Sequence, residues 1–466
     1  MLDLAIINGQ VFVEGGFRKA DIGIKNGKIE MIAEVGSLAE SKKTIDATGK
    51  HVIPGGIDTH VHFRDPGHAE RETFQVGTRA AAAGGCTTFF EHPISIPPQY
   101  NAEILHNRIA LCEKGSCVDF CFFGAAGGEF PEEIVPLAKE GVIAYKTFLH
   151  DAPEGRAEEF KGLTSANNAE LMCALEEVKK TGLTLAAHAE DNELVTGNIK
   201  RLRKEGRVDY KAHCESRPPI VEVEAIAKML RFGKETGCSL ELVHVSTCEA
   251  MELAKKAKYN GQKVLVETCP HYLLLDESYV EKYGPYAKCN PALRSREEVQ
   301  NLWKYVLDGT VDFIGSDHSP FLVSEKEKGQ KDIFVAPSGF PGIDLRLPLM
   351  ITEAKKGRIS LEKVIMLCCE NPAKDFHIFP QKGTLSAGAD ADIVIFDMSK
   401  ECVFHASNSY SQARDIAKVY EGWKLGCTLD YTIVRGRIVM EHGVVDENAA
   451  GWGTFVGPVK NKGEFR

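Results

Sequence analysis

No run of apolar residues in this 466-residue chain approaches the ~18 that a membrane-crossing helix requires, which excludes a helical membrane protein. The first residues, Met1-Leu2-Asp3-Leu4-Ala5, lack the basic-then-apolar order of a signal peptide, so a cytoplasmic protein is expected. Positive charge is also short. Lys plus Arg total 56 against 66 Asp plus Glu, a net of −10. That balance argues against nucleic acid or an anionic membrane as the main partner. The fourteen cysteines contain no paired CxxC module. Several, such as Cys86, Cys121 and Cys269, sit inside apolar runs and are expected as small buried hydrophobes rather than disulfides. Internal repeats, low-complexity tracts and long linkers are missing as well.

What is present is enough apolar material for a large core, 43% of residues, and 43 glycines that signal many tight turns. Up to about residue 53 the chain reads as short strands, with a hairpin expected around Asn26-Gly27. The rhythm then changes. Eight apolar, strand-like runs follow, at 56–62, 86–92, 118–125, 142–149, 183–190, 240–246, 264–275 and 312–317. Helical-length segments separate them, among them 102–114, 168–181, 221–236 and 295–307. Strands that alternate with helices pair in parallel, and eight such units predict an α/β fold of the (β/α)8 TIM-barrel type. After about residue 380 the chain returns to β character. The expected organisation is a barrel over 54–379 beside a small β-sandwich built from both chain ends, 1–53 and 380–466.

Catalytic groups of such barrels sit at the C-terminal ends of the strands. The first run ends in Asp58-Thr59-His60-Val61-His62. Side chains alternate along a strand, so His60 and His62 project to one face and could grip a divalent metal. Two ordinary histidines near a strand end would explain an isolated His-x-His equally well. Four further strands, however, bring an ionisable group to the same end: Lys146, His188, His244 and Asp317. Convergence of five strands by accident is hard to credit, so a metal centre is expected. Lys146 lies in an apolar strand, where a free ammonium is costly. A desolvated lysine is nucleophilic and would either form a Schiff base or capture carbon dioxide as an anionic carbamate.

These stretches resemble the cyclic amidohydrolases of the dihydroorotase, allantoinase and hydantoinase group. The resemblance runs from Ile7-Asn8-Gly9 to Val434-Arg435-Gly436. It includes Pro54-Gly55-Gly56-Ile57-Asp58-Thr59-His60-Val61-His62, Ala80-Ala81-Ala82-Ala83-Gly84-Gly85-Cys86-Thr87-Thr88 and Ser316-Asp317-His318-Ser319-Pro320. It implies two divalent ions, zinc or else manganese, cobalt or iron. His60, His62 and Asp317 would hold the more buried ion, and His188 and His244 the second. Lys146, carboxylated by carbon dioxide, would bridge them. A hydroxide between the metals would attack the ring amide, with Asp317 carrying its proton to the leaving nitrogen. Asp58 and His318 would support the ligands from behind, His271 likewise. The group's members are commonly tetramers, so a homo-oligomer acting on a small cyclic amide is expected.

Substrate choice is read from departures within the group. Dihydroorotases grip a carboxylate with an Arg, an Asn and a His. Here Arg64 matches, but Ile94 and Phe321 stand at the other two positions. D-hydantoinases and dihydropyrimidinases place a Tyr five residues beyond the bridging Lys, where this chain has Asp151. Local matches favour allantoinases (Ser216-Arg217-Pro218 and Glu267-Thr268-Cys269-Pro270-His271-Tyr272) and L-hydantoinases (Phe379-Pro380-Gln381-Lys382-Gly383). The expected reaction is opening of allantoin or a 5-substituted hydantoin, with dihydroorotase or dihydropyrimidinase activity as alternatives. Expected substrate contacts are Asn290, Ser338, Gly339 and Arg64, the last of which could instead cap a loop or pair with Asp65 or Glu70. A non-enzymatic relative would have lost metal ligands, and a Schiff-base aldolase would not need four histidines and an aspartate around its lysine.

Overall fold

The computed structural model describes residues 1–458. The segment 459–466, the tail of the expected 380–466 unit, lies outside the described residues.

Both chain ends build one nine-stranded mixed sheet. Strands Leu2–Val13, Gly16–Lys25, Lys28–Ala33, Ser41–Asp46 and His51–Pro54 come from the first part of the chain. Ile393–Asp397, Thr428–Val434, Arg437–Glu441 and Val444–Val445 come from the last part. The ends join where His51–Pro54 lies antiparallel to Ile393–Asp397, with Val52 opposite Ile395. Ile6, Val11, Ile22, Ile24, Val52, Ile393, Ile395 and Ile433 form its apolar face. The expected hairpin is present: Asn26 and Gly27 have φ of 51° and 75°. Two consecutive left-handed residues match the twist of the strands they join, which is why Asn-Gly is favoured there.

The barrel has eight parallel strands: β1 (Gly56–Val61), β2 (Cys86–Glu91), β3 (Asp119–Ala125), β4 (Ala144–Phe148), β5 (Thr184–His188), β6 (Ser239–Leu242), β7 (Val264–Thr268) and β8 (Phe313–Ile314). They pair in sequence order, and His62 N donates to His318 O at 2.9 Å to close β8 onto β1. Helices cover the outside, so β1, β2, β3 and β4 are buried at every position. Burial on both faces is why these strands read as continuous apolar runs rather than alternating ones.

Local chemistry sets the helix bounds. Asn168–Thr181 begins where the Asn167 side chain accepts from two backbone amides and ends at left-handed Gly182. Arg296–Leu307 starts behind Ser295, whose hydroxyl accepts from Glu298 N. The run expected as one strand over 264–275 is divided. It leaves the sheet after Thr268, and Pro270 opens a short helix, Pro270–Leu274. Proline has no amide to give a ladder but suits the first helical turn.

A buried charge cluster ties the terminal sheet to the barrel. Lys382 Nζ lies 2.7 Å from Asp392 and 3.0 Å from Asp390, and also pairs with Asp119 at the start of β3. Arg435 reaches the same Asp119 at 3.1 Å.

Candidate metal centre

The alternation of β1 does what the spacing predicts, although His62 falls one residue past the strand. The rings of His60 and His62 lie 5.1 Å apart. Both direct Nε2 at one atom, Asp317 Oδ1, from 3.5 and 3.4 Å. Ligand atoms of His60, His62 and Asp317 all fall within 4.8 Å of one another. Across the barrel mouth, His188 Nδ1 and His244 Nε2 face each other at 3.0 Å. The rings of His60 and His244 are 5.3 Å apart, so the two groups form one array. Lys146 is fully buried, its Nζ 5.2 Å above the Phe148 ring. Residues at the ends of five of the eight strands therefore lie together at the barrel mouth.

Carboxylates set which nitrogen of each imidazole is free. Glu267 accepts from His60 Nδ1 at 2.7 Å, leaving the Nε2 lone pair to face Asp317. Glu190 accepts from His188 Nε2 at 2.8 Å and is held by Arg217 at 2.7 Å, leaving Nδ1 free. This is the arrangement by which a second carboxylate orients a metal-binding imidazole. Burial pushes the pKa of His60, His62 and His244 well below the ordinary value, so the rings are neutral donors of a lone pair. Burial raises Asp317 to about 7 and lowers Lys146 to about 8. For Lys146 the carboxylates of Glu241, Glu267 and Asp317 oppose that fall.

Several buried polar atoms here have no partner: Lys146 Nζ, His62 Nδ1, His244 Nδ1 and both oxygens of Glu241. An orphaned buried polar atom costs free energy, and a cluster of them marks a place completed by a bound group. Imidazole nitrogens and a carboxylate are the donor set of zinc and similar divalent ions. The residues thus fit metal ions. The unpartnered, desolvated amine of Lys146 fits a lysine that gains an anionic group.

The backbone is held tightly at this end. Arg64, His244 and Asp317 have φ of 66°, 43° and 49°, left-handed values that side-chain-bearing residues rarely adopt. Asp58 Oδ1 accepts from Ser316 N at 2.9 Å and His60 N at 3.3 Å, and so links β1 to the β8 loop. His318 directs Nε2 to Glu72 at 2.5 Å, while Nδ1 accepts from Gly342 and Ile343. Both its nitrogens are engaged, so it braces the loop. His271 packs on Tyr272 and Phe340, and its buried Nε2 has no hydrogen-bond partner among the described residues.

Arg64 is buried and donates to Ser319 Oγ at 2.6 Å. Its guanidinium stacks 4.9 Å over Phe321 and approaches Glu159 at 3.8 Å. The alternative partners do not engage it, since Glu70 pairs with His68 and Asp65 accepts from Phe74 N. Its Nε and Nη1 have no hydrogen-bond partner. Asn290 Oδ1 is likewise buried and unpartnered. Gly339, at φ 121°, lies against Ser319 so closely that a Cβ would overlap it, which brings the 338–339 loop beside the Arg64 contact. Asp151 is exposed and pairs with Asn192 at 2.8 Å. Glu267, Glu190, Glu241 and His92, the last stacked 3.8 Å on His60, were not singled out from the sequence. Only the nearness of Glu190 to His188 offered a signal.

The sequence profile of the Amidohydrolase family matches residues 51–439. The chain belongs to the amidohydrolase family. It is 35% identical to the L-hydantoinase of Paenarthrobacter aurescens over 461 residues, 98% of either chain. It is 34% identical to an allantoinase of Bacillus velezensis over 466 residues, 99% of this chain and 98% of that one. The solved L-hydantoinase (dihydropyrimidinase) from Arthrobacter aurescens superposes with a TM-score of 0.93 at 34% identity, covering 98% of this chain and all of the other. Barrel, terminal sheet and the candidate metal cluster of His60, His62 and Asp317 are those of an amidohydrolase of the hydantoinase and allantoinase type.

Proposed function

We propose that this amidohydrolase opens a five-membered cyclic ureide, allantoin or a 5-substituted hydantoin, at a site that holds two divalent ions. The observation that carries this reading is the convergence of His60 and His62 on Asp317 beside the facing nitrogens of His188 and His244. The barrel, residues 54–379, is the catalytic unit, and 1–53 with the described part of 380–466 form the accessory one, whose end returns to the barrel where Phe455 pairs with Phe120. His60, His62 and Asp317 would hold one ion and His188 and His244 the other, and Lys146 as a carbamate would supply a further anionic ligand. When bound, such ions polarise an amide oxygen and bring the pKa of water toward neutrality.

The chain's own groups supply the rest. Water adds across a ring C–N bond, its oxygen to the carbonyl carbon and a hydrogen to the ring nitrogen. Asp317 Oδ1, which the Nε2 atoms of His60 and His62 both face, is placed to take the proton from the attacking water and pass it to the departing nitrogen. Glu267 and Glu190 keep His60 and His188 in the tautomers that leave the inward nitrogen free. Asn290 Oδ1, Ser338 and the Gly339 backbone line the ring-binding side.

Arg64 supports a second reading, in which the ring carries a carboxylate as in dihydroorotate, because Nε is a buried donor without a hydrogen-bond partner among the described residues, although Nη1 already faces Glu159 at 3.8 Å. Against it, the Phe321 ring lies under the guanidinium, and Ile94 packs with Phe148, Phe160 and Leu163. Neither can bind an anion. The test is a ring-opening assay on zinc- or manganese-loaded protein supplied with bicarbonate. The panel holds allantoin, neutral and carboxylated hydantoins, dihydrouracil and dihydroorotate, with wild type beside Arg64→Ala. Fastest turnover of allantoin or a hydantoin is expected. Fastest turnover of dihydroorotate, lost selectively in Arg64→Ala, would replace the main reading with the second.

A further inference from the structure

His150 is the residue of the β4 loop that turns toward the metal ligands. It follows Lys146 by four positions, just beyond the end of β4. Its ring stands edge-on to His188, centroids 5.1 Å apart at 89°. Phe148 at 5.4 Å and Phe160 at 6.1 Å confine it from the other sides. Its neighbour Asp151 points away, clamped to Asn192 by the side-chain contact at 2.8 Å. The loop therefore presents an imidazole, not a carboxylate, to the site.

One hydrogen bond fixes which face of that imidazole is offered. His150 Nδ1 lies 2.7 Å from the backbone carbonyl of Asp151. A carbonyl can only accept, so Nδ1 carries the hydrogen, and in the neutral ring Nε2 keeps its lone pair. Nε2 has no hydrogen-bond partner among the described residues, and the side chain is only half-buried. The result is an acceptor held by its Nδ1 contact and partly exposed, beside His188. A cyclic ureide brings ring N–H groups next to its scissile carbonyl, and these need acceptors once the ring leaves water.

We propose that His150 is a substrate-binding residue whose Nε2 accepts a hydrogen bond from a ring N–H of the bound ureide, and so selects rings that are unsubstituted at that nitrogen. The inference rests on the cyclic-ureide reading for the identity of the ligand. A methyl group on the nitrogen removes the donor and fills the space before Nε2. Replacing the imidazole with phenyl removes the acceptor and keeps most of the packing against Phe148 and His188. Replacing it with glutamine returns an acceptor oxygen near the position of Nε2.

The experiment measures calorimetric binding and steady-state turnover of hydantoin, 1-methylhydantoin and 3-methylhydantoin. Wild type, His150→Phe and His150→Gln are compared, each metal-loaded, with metal content and thermal midpoint recorded for every variant. Wild type is expected to favour the parent ring over at least one methylated isomer by about tenfold or more, the worth of one hydrogen bond plus exclusion of a methyl. In His150→Phe that preference collapses toward unity through a higher KM for the parent ring, with kcat less affected. In His150→Gln it is largely retained. A preference that persists in His150→Phe, or is lost equally in His150→Gln, overturns the inference. Parent and methylated rings weakened by the same factor would do so too, since a purely structural residue acts that way. Rings that bind with His150-dependent discrimination but are not opened would defeat the cyclic-ureide reading and leave this inference standing. Rings opened without such discrimination would do the reverse, and failure of every ring to bind defeats both.

Discussion

Lys146 is a fully buried amine with no hydrogen bond, surrounded by the ligand set. Such a group survives in a core only if something else completes it. A carbamate would turn the costly cation into an anion that two metal ions can share. Lys146→Ala is therefore expected to lower ring-opening activity by about 100-fold or more, with loss of bound metal. Short carboxylic acids such as acetate or propionate should restore part of it by filling the gap. Normal activity without added acid would remove the carbamate from the site. Glu159 is a contrasting residue, buried among Arg156, Arg64 and Arg71. Burial alone would raise its pKa, but the hydrogen bond from Arg156 and the three guanidinium charges outweigh it and hold the carboxyl at about 2. Its folded pKa is depressed, so its contribution is complete above the unfolded value near 4.5 and fades as pH falls through about 2. The size is on the order of 3 kcal/mol. Denaturant midpoints of wild type and Glu159→Gln should differ at pH 7 and converge toward pH 2. A difference that stays constant with pH would show that the charge of Glu159 does not stabilise the fold.

At the scale of the element, the barrel was legible because parallel strands covered on both faces carry unbroken apolar runs, and all eight lie where those runs lie. Asn167, Gly182 and Ser295 mark helix ends by side-chain chemistry that survives in sequence. Strand β7 was drawn too long because the apolar run continues past Pro270 into a helix that is also buried. The candidate ligands at strand ends could be picked out by their place in the strands, but the groups that hydrogen-bond to them could not. Glu267 meets His60 across 207 positions of sequence, and nothing local marks that contact. Its room is made by another strand. A Cβ at Gly315, beside β8, would come within 2.7 Å of the Glu267 carboxyl carbon. Gly315→Ala is thus expected to push Glu267 off His60 Nδ1, costing about 1–3 kcal/mol in stability and weakening metal retention by roughly 10- to 100-fold. Metal content after dialysis against a chelator tests this, alongside the thermal midpoint. Full metal retention with a lowered midpoint would mean that the glycine serves packing alone.

For the molecule as a whole, the question is what makes the barrel and the terminal sheet one body. The backbone passes directly from sheet to barrel, with Gly55 N donating to Asp392 O at 2.9 Å. The charge cluster on Lys382 then joins three segments: β3 through Asp119, the turn at Asp390 and Asp392, and Arg435 in the turn between Thr428–Val434 and Arg437–Glu441. Lys382 and the three carboxylates are almost wholly buried, so the ammonium is the counter-charge for carboxylates that water barely reaches. Burial would lower the pKa of Lys382, yet the carboxylates of Asp392, Asp119 and Asp390 raise it well above the usual lysine value. Removing one partner from such a buried cluster is costly because the others stay behind uncompensated. Lys382→Met is expected to destabilise the protein by about 3–5 kcal/mol. For a chain of this length that lowers the thermal midpoint by only a few degrees. Size alone would not distinguish a clasp from ordinary packing, but non-additivity would. In the double variant Lys382→Met with Asp392→Asn, one of the stranded charges is gone. The clasp requires the pair of changes to cost at least 1 kcal/mol less than the sum of the singles, since contacting charges couple by that order. Strict additivity would mean that Lys382 holds the two parts together by its packed methylenes and not by its charge.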